Sequence, residues 1–292
     1  MNTVGIALPE AVETYLQQDG FGRIVAREQL HGGAISTVTR LIGDCGRTMI
    51  VKQHLEAPED MYACEAAGLR ALRLPGCPTV PEVYLAGPQF FLLQDLGSKK
   101  EQTPAYWETF GRQVATLHRH THTHFGFSQD NYLGKKRMSN RWTEDGYAFY
   151  AQTRVLFYLE QPDSELHLTA DDRRNLERLC DRLPQLMPKQ PASLIHGDLW
   201  HANLLVGLDG EPAYIDPATH YGWAEADLSM SRQYGVIPET FFAAYQEVNP
   251  LPDGWWERLE LFYLKELLSM IVHFGNQYGN VDQLRKVVAK FL

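Results

Sequence analysis

The chain has 292 residues, enough for two modest domains or one large one, and 44% hydrophobic and 22% charged residues are ordinary for a globular protein. A formal charge of −9 speaks against a general basic surface for nucleic acid, and no apolar run is long enough to span a bilayer. Cys45, Cys64, Cys77 and Cys180 are scattered without a CxxC pair, which argues against a zinc knuckle or disulfide framework, and with no signal-peptide core at the start a cytoplasmic location is expected.

Residues 10–18, EAVETYLQQ, have the spacing of a short amphipathic helix. From Ile24 to Lys52 the texture is β-branched alternation, and ISTVTRLI (35–42) and RTMIVK (47–52) flank GDCG (43–46), a hairpin signal. Residues 60–73 return to helical spacing, with Met61, Ala67 or Leu69, and Leu72 on one side. A loop rich in Pro and Gly follows, and FFLLQDL (90–96) reads as a buried strand. Strands, one helix and more strand predict a small α+β layer ending near residue 95.

The remainder is mostly helical. YWETFGRQVATLHR (106–119) places Phe110, Val114 and Leu117 at spacings of four and three, and residues 172–186 repeat the pattern with Leu176, Leu179 and Leu183. Residues 255–274 are apolar on most sides, as expected of one deeply buried helix. Between these, residues 203–216 read as two short strands around Asp209-Gly210. The expected architecture is two unequal lobes, 1–95 with antiparallel strands and 96–292 mainly helical, joined at about 94–97.

The polar stretch LIHGDLWHAN (194–203) stands directly before that hairpin. The hairpin brings Asn203 and Asp216 together, and one carboxylate with one amide oxygen makes a sparse all-oxygen site suited to Mg2+ that shares its shell with substrate phosphates. Asp198, on the preceding loop, is placed to take a proton from a hydroxyl that attacks phosphorus.

HGDLWHAN resembles the HGDxxxxN catalytic loop of the aminoglycoside and choline kinase superfamily, whose fold is protein-kinase-like. The following IDPATHYGWAEADLSM (215–230), with FGFSQDNYLG (125–134) and NRWTEDGYAFYAQTR (140–154), resembles a narrower group, the fructosamine kinases or ketosamine-3-kinases. This resemblance covers most of the chain and implies ATP and Mg2+, with Asp198 as catalytic base and Asn203 and Asp216 as metal ligands. It further implies Lys52 on the α- and β-phosphates, Glu65 pairing with Lys52, and Gly32 and Gly33 of HGGAIS (31–36) over the phosphates. Adenine would meet the backbone of Gln94, Asp95 and Leu96. The glycine loop is neither a Walker A nor a GxGxxG motif, so its assignment rests on context.

The implied acceptor is O3 of a ketosamine sugar, on a small molecule or a glycated protein lysine; the 3-phosphate would then eliminate and return the amine. Choline, thiamine, aminoglycosides and simple sugars are the competing acceptors, and a non-catalytic nucleotide-binding regulator is the competing class. Trp200, His201, Glu225 and Trp142 are the expected acceptor-side residues. His196 is expected to be buried and to brace the loop, and Asp227 to tie it down. HRHTHTH (118–124) follows a helix whose dipole favours cations, which accounts for its imidazoles without a metal. No nucleic-acid or membrane partner is expected, and the oligomeric state is left open.

Overall fold

The computed structural model describes residues 7–30, 35–97, 101–165, 167–233 and 237–292. The expected phosphate-capping pair, Gly32 and Gly33, lies outside them.

A helix, α1 (Glu10–Gln18), precedes three strands, β1 (Ile24–Leu30), β2 (Thr37–Gly43) and β3 (Thr48–Gln53). Helix α2 (Met61–Leu72) follows, then β4 (Val83–Gly87) and β5 (Phe90–Gln94). The five strands form one antiparallel sheet in the order β1-β2-β3-β5-β4. Period-two alternation divides the labour of β3. Met49 and Val51 join Val12 and Leu16 of α1 in an outer apolar cluster, whereas Ile50 and Lys52 face the opposite way and line a cleft. The register places Lys52 opposite Val38 and Phe91, well inside the sheet.

Beyond the sheet, α3 (Pro104–His118) begins on a Thr103 cap with proline in its first turn. Short strands β6 (Thr121–His122), β7 (Asn131–Leu133) and β8 (Lys136–Met138) lead to α4 (Gly146–Tyr150), which runs through one π-helical segment, Ala151–Leu156, into α5 (Phe157–Leu159). Next come α6 (Pro162–Glu165), α7 (Ala170–Leu186) and β9 (Ala192–Ile195). The hairpin β10 (Leu204–Val206) and β11 (Pro212–Tyr214) is followed by β12 (His220–Gly222), α8 (Ala224–Gln233), α9 (Glu239–Val248), α10 (Trp255–Phe262), α11 (Leu264–Phe274) and α12 (Asn280–Phe291). The antiparallel N-terminal region and helical C-terminal part are those of a protein-kinase-like fold.

Two details depart from the sequence reading. The run 255–274 is two helices meeting at Tyr263, the second buried along most of its length and the first only in its C-terminal half. The π-helical segment had no signal in the spacing; its Arg154 is buried and donates to Ser139 O at 3.1 Å and to Asn140 Oδ1 at 2.5 Å.

Helices α3 and α9 touch backbone to backbone at Gly111, where a Cβ would lie 2.3 Å from Phe241 O. One apolar core continues from α2 and β5 into the helical part: Tyr62, Leu69 and Phe91 pack with Phe110, Leu199, Leu204 and Tyr214. The strand that leads to the polar loop 196–203 is therefore rooted in the same core as α2. None of the helices described is long and apolar enough to cross a membrane.

Candidate active site

Strand β9 is buried at every position and delivers His196, Gly197 and Asp198 at its end. Gly197 has φ +83°, and a Cβ there would lie 2.2 Å from Ala218 O, so only glycine makes this turn without displacing the neighbouring chain. Three bonds hold the turn from behind. His196 N and Gly197 N donate to the two carboxylate oxygens of Asp227 at 2.7 and 2.8 Å, and His196 Nε2 donates to Ile215 O at 3.0 Å. Burial lowers the His196 imidazole below its ordinary value despite Asp227, so it is a neutral brace. Asp227 also accepts from His118 Nε2 at 3.2 Å. Burial pushes its carboxyl up, but His118 outweighs this, and the group lies below its ordinary value. Of the run HRHTHTH, then, His118 is a buried structural partner, while His120 and His122 lie exposed beyond the helix end and His124 is half-buried.

Asn203 closes the loop. Its Nδ2 donates to Asp198 O at 2.9 Å and to Asp198 Oδ2 at 3.0 Å, which turns its carbonyl oxygen away from Asp198. Ile215 N donates to Asn203 O at 3.0 Å, continuing the β10–β11 ladder by one step and setting Asp216 beside Asn203. Asp216 has φ +58°, and among the described residues it alone of the non-glycines has a positive φ. Lys52 Nζ lies 2.7 Å from Glu65 Oε1 and donates a short hydrogen bond to Asp216 Oδ1. Burial alone would lower this lysine, but the two carboxylates prevail and hold the ammonium charged. Burial pushes Glu65 up against the pull of Lys52.

Lys52, Glu65, Asn203 and Asp216 line a cleft of about 290 Å3 under the sheet, together with Val38, Ile50, Leu93, Leu205, Ile215 and the segment Gln94 to Gly97. Gln94 N already donates to Glu82 O at 2.8 Å. The Asp95 carboxylate accepts from Arg40 Nε at 2.6 Å and from Gly97 N at 2.9 Å, so its side chain fastens the crossing to β2. Burial and the charge of Glu266 push the Asp198 carboxyl up to about 7, partly offset by Lys265 and Asn203. Lys265 Nζ donates to Gly197 O at 2.9 Å and pairs with Glu266 at 2.6 Å.

Sequence reasoning missed Arg40, Lys265 and Glu266. For the last two a signal existed, adjacent charges inside the otherwise apolar LFYLKELLSM. Two expected acceptor residues lie elsewhere. Glu225 is 0% exposed and is held through both oxygens by Arg258 at 2.7 Å, so it faces the protein interior and not an acceptor. Trp142 packs against His122 and Tyr221, with ring centroids 4.6 and 5.9 Å away. His122 pairs with Ala192 at the start of β9, the end farther from Asp198, so Trp142 is not brought to the loop. Trp200 and His201 do stand on the loop, half-buried and edge-to-face at 5.1 Å.

A choline kinase of Streptococcus pneumoniae shares the fold, with a TM-score of 0.63 at 16% identity over 97% of this chain and 100% of that one. This likeness shows that the fold is kinase-like. A family model described as fructosamine kinase matches residues 10–292. A probable ketoamine kinase of Lactiplantibacillus plantarum is 35% identical over 276 residues, 91% of this chain and 95% of that protein. A crystal structure of a Thermobifida fusca protein, provisionally named a fructosamine-3-kinase, superposes with a TM-score of 0.86 at 30% identity, covering 97% of this chain and 100% of that one. The chain belongs to the fructosamine kinase family, phosphotransferases with an alcohol group as acceptor.

Proposed function

We propose that this enzyme transfers the γ-phosphoryl group of ATP, in the presence of Mg2+, to O3 of a ketosamine, and that the chain divides into its two lobes at 94–97. The observation that supports this most is that Asn203 and Asp216 line a single cleft with the Lys52–Glu65 pair, with Asp198 hydrogen-bonded to Asn203. Asn203 and Asp216 suit a divalent ion. The Asn203 nitrogen is committed to Asp198, which leaves its oxygen for a cation, and Asp216 carries the neighbouring carboxylate. Such an ion would neutralise phosphate charge.

The protein's own share is positioning and proton transfer. Asp198 accepts the proton of the sugar hydroxyl as that oxygen bonds to the γ-phosphorus and the bond to the β,γ-bridging oxygen breaks. Burial and the charge of Glu266 raise this carboxyl above its ordinary value, which makes it a stronger base for the exchange. Lys52, kept charged by Glu65, draws the phosphate oxygens towards Asp216. The backbone of Asp95 and Leu96 meets the base, and Trp200 and His201 flank the acceptor. Product 3-phosphate would eliminate spontaneously and free the amine, a repair of glycation that applies equally to small-molecule adducts and to modified lysines.

The test is a panel of fructose-, ribulose- and erythrulose-amines run beside choline and kanamycin, with ADP and phosphorylated product both measured. Ketosamine-dependent ADP release with a 3-phosphate is expected. Turnover of choline or kanamycin but of no ketosamine would overturn the acceptor assignment.

A further inference from the structure

Asp60 occupies the N-cap position of α2, where an aspartate ordinarily accepts a hydrogen bond from the first turn of its own helix. Here the side chain accepts from no backbone N–H of the helix, its one bond to the first turn being a long one from Cys64 Sγ to Oδ2 at 3.8 Å. Its Oδ1 accepts instead from Tyr132 Oη at 2.7 Å, and its Oδ2 lies 2.8 Å from Arg137 Nη1. Tyr132 and Arg137 are cross-strand partners in the β7–β8 hairpin, and Arg137 Nε is fixed in turn by Asp130 Oδ2 at 3.1 Å.

The hairpin is a firm base for this grip. Strand alternation turns Asn131 and Leu133 away from α2 and into the helical part. Asn131 Nδ2 donates to Thr219 O at 3.0 Å, and Leu133 and Met138 belong to the large core there. Helix α2 also rests directly on the segment behind Asp216, since a Cβ at Gly68 would lie 2.9 Å from Thr219 Oγ1. The Tyr132 hydroxyl, and after it Arg137, hold the Asp60 carboxyl below its ordinary value against the effect of burial.

We propose that the β7–β8 hairpin is a built-in clamp on α2, in which Asp60, Tyr132 and Arg137 are positioning residues that keep Glu65 against Lys52. The proposal rests on the roles given above to Lys52 and Glu65. An aspartate that gives up its own helix cap for a contact with another part of the chain forgoes local stability, and the contact it makes instead fixes the helix relative to the catalytic loop.

The test compares wild type with Tyr132→Phe/Arg137→Met, which leaves Asp60 free to cap α2, in both a Glu65 and a Glu65→Gln background. With Glu65 present, kcat/KM for ATP should fall about fivefold, the size set by a partly exposed polar network. With Glu65→Gln the same pair should change it less than about twofold, because the residue through which the clamp acts is gone. Equal losses in both backgrounds, or no loss in the first, overturn the proposal. Hydrogen exchange of the α2 amides beyond its first turn, which a freed Asp60 cap does not protect, should quicken in the double variant while α3 and α9 are unchanged, and unaltered exchange there also overturns it. The exchange comparison needs neither nucleotide nor acceptor, so wild-type protein that phosphorylates no ketosamine would defeat the acceptor reading alone and leave the clamp to be decided.

Discussion

Arg258→Met would remove the partner of a carboxylate that has no contact with water. Glu225 is 0% exposed, and Arg258 reaches both its oxygens at 2.7 Å, with Gln190 Nε2 donating to one of them at 2.9 Å. Without the guanidinium, this buried carboxyl group is left with a single amide partner, Gln190. Breaking a buried pair on one side costs roughly 3–5 kcal/mol. In a chain of this size each kcal/mol shifts the melting midpoint by roughly 2–4 °C, so a loss on the order of 10 °C is expected. Replacing both residues with apolar ones should recover much of the loss. Calorimetric melting of wild type, Arg258→Met and the Glu225→Met/Arg258→Met pair makes the comparison. An Arg258→Met midpoint equal to wild type would refute the reasoning. So would a Glu225→Gln protein that melts normally but has a raised KM for its acceptor, since Glu225 would then have to face substrate.

Asp198→Asn should retain Mg·ATP affinity by calorimetry but lose turnover on the order of 10²–10⁴-fold; unchanged turnover would remove Asp198 from its role. Gly197→Ala must place a methyl group 2.2 Å from Ala218 O at a φ of +83°, so it should reduce kcat strongly and lower the melting midpoint. A normal melting curve with full activity would show that the turn adapts. Asp172 caps α7 and meets Arg285 of α12 at 2.8 Å, and the hydrogen bonds from Arg285 first of all lower its carboxyl to about 2. A lowered carboxyl stabilises fully above the unfolded value of about 3.9 and loses that contribution as pH falls towards 2. Urea unfolding should therefore find Asp172→Asn weaker than wild type by about 1–2 kcal/mol at pH 7, given the half-exposed arginine, with the gap closing below pH 4. A gap that stays constant down to pH 2.5 would rule out this linkage.

Much of this enzyme was legible in its residues because the relevant signals are local. Hydrophobic period and turn residues located α1, the β2–β3 hairpin, α2, α3 and α7, since each is set by spacings within one element. The neighbourhood of Asn203 and Asp216 followed from a hairpin of known reach, and His196 and Asp227 were read as braces of the loop, where they are found.

What could not be read depends on contacts between distant positions. Glu225 and Asp227 sit two residues apart on α8 with similar chemistry, yet Arg258 claims the first and the backbone of the catalytic loop the second. Trp142 looked like a sugar platform, but the pairing of β6 with β9 carries it to the far end of the small sheet. Arg40 on Asp95, Lys265 on Gly197 and the grip of Tyr132 on Asp60 join positions 55, 68 and 72 residues apart. Periodicity tells a side chain which face of its own element it occupies. Which partner waits opposite that face is decided only when the elements pack, because a charged side chain commits to the partner that best repays its lost hydration.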